Sequence, residues 1–123
     1  MNATKSKVSK AVRDHVAYVS IVGWSRPRTH VDTRIEAYPF VRMIEDTELR
    51  RSGNGIYELT DAGRELVKDH KAVKAFSRLS AEGWKVNRMT RNRSRWIPLV
   101  KIHDGGNRVL DGSLWIDGGT YLD

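Results

Sequence analysis

The chain has 123 residues, 39% of them hydrophobic, and a formal net charge of +7 with no cysteine. That length can bury one core or two small ones without a staple, and the absence of Cys excludes disulfide scaffolds, Cys-ligated zinc fingers and thiol chemistry. An isoelectric point near 10.0 favours polyanionic partners.

Residues 5–22 read as a helix, with Val8, Val12, Val16 and Val19 on one face and Lys7, Lys10, Arg13 and Asp14 toward solvent. Gly23 is placed to stop it. Val31, Ile35 and Tyr38 have the spacing of a short second helix, which Pro39 breaks. Pro39 is also suited to open a third helical segment, whose apolar side would be Phe40, Val41, Ile44 and Leu49. Residues 49–60 predict a β-hairpin with its tip at Ser52-Gly53-Asn54-Gly55. Thr60 or Asp61 then caps a helix carrying Leu66, Val67, Val73, Phe76 and Leu79 to about residue 80, and Gly83 marks its end. From residue 84 the pattern is β. Trp96 to Ile102 is an apolar run whose Pro98 points to an edge strand or a bulge. Asp104-Gly105-Gly106-Asn107, Asp111-Gly112 and Asp117-Gly118-Gly119 are turn signals that suit a small antiparallel meander.

The stretch Leu49-Arg50-Arg51-Ser52-Gly53-Asn54-Gly55-Ile56-Tyr57-Glu58-Leu59-Thr60-Asp61-Ala62-Gly63-Arg64 resembles the wing of winged-helix DNA-binding domains. In that pattern a basic strand end and a Gly-rich tip precede Tyr-x-Leu-Thr, with Gly three residues later; Tyr57, Leu59, Thr60 and Gly63 meet it. The resemblance covers about residues 5–80. It implies an α+β chain with a winged-helix-like domain over 1–82 and a basic β-rich extension over 83–123. In this reading Arg50, Arg51 and Asn54 supply donors to phosphates or minor-groove acceptors.

Charge is segregated along the chain. Residues 1–28 hold six Lys and Arg, among them Arg26 and Arg28, against one Asp. Residues 29–49 reverse this, with Arg34 and Arg42 against five acids. Glu45, Asp46 and Glu48 would disfavour groove insertion by the third segment and leave Thr33, Arg34 and Arg42 to contribute. The densest cluster is Arg88, Arg91, Arg93 and Arg95, flanked by Trp84 and Trp96 with no acid between residues 85 and 95. If extended, it forms a phosphate-tracking strip beside a ring able to stack on a base.

The four His show no ligand spacing, and the Asp-Gly pairs suit turns, so neither a metal nor a cofactor is expected. No Gly-rich phosphate loop and no nucleophile–His–acid signature occurs, so the expectation is a non-enzymatic protein. No apolar run reaches the ~20 residues of a membrane helix, and the start of the chain does not read as a signal peptide. A cytoplasmic DNA-binding regulator or accessory factor of phage or mobile-element type is therefore expected, with double-stranded DNA as partner. A homodimer is compatible with that reading. Two alternatives stay open: RNA, or a protein of a nucleic-acid-processing complex that the scaffold inhibits or adapts.

Overall fold

The computed structural model describes residues 8–23, 31–45, 56–88 and 96–123. The chain is α+β, with a two-stranded sheet, a four-stranded antiparallel sheet and helices attached to each. It divides into two compact units, Met1–Asp69 and His70–Asp123. None of the helices among the described residues is long and apolar enough to cross a membrane.

In the first unit, helix α1 (Lys10–Val22) is capped by Ser9, whose hydroxyl accepts from Val12 N. It ends at Gly23, which takes the left-handed conformation and donates its N–H to Val19 O. Val12, Val16 and Val19 of the valine stripe are buried as their spacing predicts, whereas Val8 precedes the cap and is half-buried. Asp14 departs from expectation: it is buried rather than solvent-facing, with Lys10 Nζ 2.7 Å from its carboxylate. The cause is tertiary, because three neighbouring elements of the unit pack around this helix and leave it little open surface. Those elements are α2 (Val31–Glu36), strand β2 (Ile56–Leu59) and helix α3 (Asp61–Val67).

The segment after Pro39 is strand β1 (Val41–Glu45), not a third helix. It pairs antiparallel with β2, Val41 opposite Leu59 and Met43 opposite Tyr57, with an irregularity before Glu45 meets Ile56. The spacing of Phe40, Val41 and Ile44 fits a helix equally well, but β2 offers a ladder that satisfies the backbone. The hairpin therefore begins eight residues before the position expected from sequence, and its predicted tip, Ser52–Gly55, lies outside the described residues. The expected short second helix is present as α2; Ile35 and Tyr38 are exposed, and the buried apolar residue just after it is Ala37.

Thr60 joins the hairpin to α3. Its N–H donates to Phe40 O (3.0 Å), its hydroxyl donates to Pro39 O (2.9 Å), and the same oxygen accepts from Gly63 N (3.1 Å) as the helix cap. Replacing Thr60 with Ala should cost about 1–2 kcal/mol, read as a lower thermal midpoint, whereas Thr60→Ser should keep most of it. Equal losses in the two variants would show that the hydroxyl is not the source.

The helix expected from residue 60 to 80 is two helices. Lys68–His70 interrupts it, and α4 (Lys71–Ala81) starts afresh with His70 Nδ1 accepting from Ala72 N at 3.1 Å. Imidazole is not a favoured cap residue, so spacing alone hides the break. Helix α4 falls in the second unit, buries Ala72, Ala75 and Leu79, and packs against the strand Arg108–Trp115.

That unit's sheet runs in sequence order: β3 (Lys85–Val86), β4 (Trp96–His103), β5 (Arg108–Trp115) and β6 (Thr120–Leu122), each antiparallel to the next. Ile97 pairs with Leu114 and Leu99 with Gly112, which puts the buried Ile97, Leu99 and Leu114 on one face. Strand β4 is internal, which corrects the edge position expected from Pro98. Pro98 O accepts from Asn87 N, so its absent N–H also faces β3, just where that two-residue strand runs out. Asp111-Gly112 is likewise no turn but the middle of β5. A Cβ on Gly112 would stand 2.9 Å from Leu122 Cδ2 and 3.0 Å from the Trp84 ring, so close packing selects glycine there.

Candidate nucleic-acid interface

Of the basic residues expected to contact nucleic acid, Arg34, Arg42 and Arg88 fall among the described residues. Arg26, Arg28, Arg50, Arg51, Asn54, Arg91, Arg93 and Arg95 lie outside them. Residues 46–55 connect the paired strand ends Glu45 and Ile56, so Arg50, Arg51 and Asn54 belong to the link of the β1–β2 ribbon. Residues 89–95 connect Arg88 to Trp96, so the arginine cluster belongs to the link between β3 and β4.

Arg34 projects from α2 toward the hairpin. Its Nε is buried and makes no hydrogen bond among the described residues. Burial and the neighbouring Tyr38 push the Tyr57 phenol above its ordinary range, and the Arg34 charge works against both. Arg34 thus holds a position between helix and ribbon, and only part of the side chain is open to a ligand. Arg42 is exposed on β1 and forms an ion pair with Glu58, its cross-strand partner. A phosphate would have to compete with that carboxylate, so Arg42 is a weaker candidate than its exposure suggests. Arg88 is exposed at the end of β3.

The N-terminal unit also exposes Ile35, Tyr38 and Met43. Sequence spacing places Ile35 and Tyr38 at helical intervals, and the tertiary arrangement leaves both exposed. In the second unit, Trp84 is buried against Gly112 and cannot stack on a ligand. Trp96 instead pairs across the strands with Trp115, ring centroids 6.4 Å apart and planes at 52°. Trp115 and Tyr121 are exposed. Sequence reasoning singled out neither, because their alignment with Trp96 depends on strand register.

The acidic end of the chain performs turn chemistry in part: Asp117 Oδ1 accepts from Gly119 N at 2.9 Å, and Asp104 takes a positive φ in a single 3-10 turn, Asp104–Gly106. Among the described residues no group of three His, Asp or Glu is arranged to hold a metal ion. No family model matches the chain, and neither a curated protein nor a solved structure matches it.

Proposed function

We propose that this is a non-enzymatic nucleic-acid-binding protein, a cytoplasmic regulator or accessory factor that docks on duplex DNA through its N-terminal unit as a winged-helix-like module. The observation that carries the reading is the β1–β2 ribbon. Its paired ends, Glu45 and Ile56, hold a link containing Arg50, Arg51 and Asn54, and its return strand runs directly into the capped helix α3. A two-stranded ribbon fits a groove, and donors at its end reach phosphates or base edges. With the third helix replaced by a strand, the helix that precedes the ribbon in sequence is α2, which carries Thr33 and Arg34.

The test is a salt titration of affinity for a labelled duplex. Changing Arg50 and Arg51 together to Ala should flatten the slope of log K against log salt by about 1.8, at ~0.9 per lost phosphate contact. The thermal midpoint should hold. An unchanged slope with full affinity would remove the ribbon from the interface.

A second reading has one observation in its favour. Ile35, Tyr38 and Met43 are exposed in the same unit in which Glu58 neutralises Arg42. Apolar surface beside satisfied charge suits a protein partner from a nucleic-acid-processing complex. Stable co-purification with a protein, in the absence of any duplex affinity, would favour it.

A further inference from the structure

Strand alternation gives the C-terminal sheet a second face, opposite the one that buries Ile97, Leu99 and Leu114. Trp96 on β4 stands across from Trp115 on β5, and Tyr121 on β6 stands across from Ser113, two residues along β5 from Trp115. Tyr121 is therefore a diagonal neighbour of Trp115, within reach of an aromatic ring. The three rings cross three adjacent strands at one end of this face. Tyr121 is 69% exposed and Trp115 40%. Lys85, exposed on β3, shares the face through its pairing with Val100.

Two exposed rings beside a half-buried Trp96 do little for a solvated sheet, and charge narrows what they meet. The unit His70–Asp123 holds ten Lys and Arg against five Asp and Glu, a surplus of five within a chain total of +7. The link that ends at Trp96 contains three Arg and no acid. The acids toward this face, Asp111 and Asp123, lie with Lys85 in the row of Val100, away from the rings. A second copy of the chain would bring like charge against like charge. A duplex offers phosphates but keeps the faces of its bases stacked inside. A single strand offers phosphates and open base faces together, and an antiparallel sheet with exposed aromatics is a surface on which unpaired bases stack.

We infer that the open face of the C-terminal sheet binds single-stranded DNA, with Trp96, Trp115 and Tyr121 stacking on unpaired bases and the positive charge of this unit drawing in the phosphates. This rests on the nucleic-acid reading above and adds to it: the N-terminal unit takes duplex, and the C-terminal sheet takes an unpaired strand.

The test uses the full-length chain and three labelled probes: oligothymidylate, oligouridylate and a duplex of equal length. Oligothymidylate should bind and quench tryptophan fluorescence. Tyr121→Ala and Trp115→Ala should each weaken that binding roughly tenfold, within the range of one lost stacking contact. Tyr121→Phe and Trp115→Phe should retain most of it, and duplex affinity should not move. Duplex binding without oligothymidylate binding overturns this inference and leaves the proposed function standing; binding of neither probe overturns both. Tighter binding of oligouridylate replaces the DNA assignment with RNA. A dimer in sedimentation that Tyr121→Ala dissolves shows a self-association face and overturns the inference.

Discussion

Gly63→Ala should unfold the N-terminal unit more readily by about 3 kcal/mol, the upper end of what one added carbon costs in a packed site. Two effects oppose each other. Gly63 lies within α3, where helix propensity alone would make Ala the better residue by about 1 kcal/mol. The added Cβ, however, would press into the backbone carbonyl of Phe40 and stand 2.8 Å from Leu59 Cδ2. A backbone oxygen cannot rotate away as a side chain can. Moving it would also loosen the bond it accepts from Thr60 N, at the junction of β1, β2 and α3. The clash therefore wins. For a unit of this size, a loss of ~3 kcal/mol lowers the midpoint by roughly 12–24 °C. Calorimetry of the full chain reads this directly, with Ala62→Ser at the exposed neighbouring position as control. A midpoint that rises in Gly63→Ala would mean propensity decides and the contact is relaxed at no cost.

The same residue shows what was legible in the sequence. The order Tyr57, Leu59, Thr60, Gly63 announced a strand running into a capped helix, and both are present because cap and turn chemistry are local. The reason for the glycine was not legible: Gly63 adopts no left-handed conformation, and it is required by the approach of a residue 23 positions earlier. Phe40–Ile44 went wrong for a related reason. A short apolar run is compatible with helix and strand alike, and only the partner strand β2 decides. Gly112 was read as a turn because Asp-Gly usually marks one, whereas here the Trp84 ring and Leu122 leave room for nothing larger. At the candidate interface, the basic clusters stand out in the sequence because charge needs no partner to be counted. The aromatic face does not, since Trp96, Trp115 and Tyr121 meet only through the register of three strands.

Changing Arg91, Arg93 and Arg95 together to Ser should have the largest effect on oligothymidylate binding. If each guanidinium holds one phosphate, the slope of log K against log salt should flatten by about 2.1, at ~0.7 per contact on a single strand, and affinity at 0.1 M salt should fall by up to roughly 100-fold. Stability should stay within about 0.5 kcal/mol, as for surface substitutions away from caps and cores. The strands on either side of the link are held independently of it, by the β3–β4 ladder and by the Asn87 N to Pro98 O bond at 2.8 Å. Net charge alone could imitate part of the binding result, so the comparison is a second variant that loses three charges elsewhere. Lys71, Lys74 and Arg78 are exposed on α4, and their change to Gln removes the same charge without touching the link. Contacts predict a large loss in the first variant and a small one in the second. Equal losses would reduce the cluster to bulk electrostatics. A lower midpoint with binding retained would make the three arginines structural and end their claim as a binding strip.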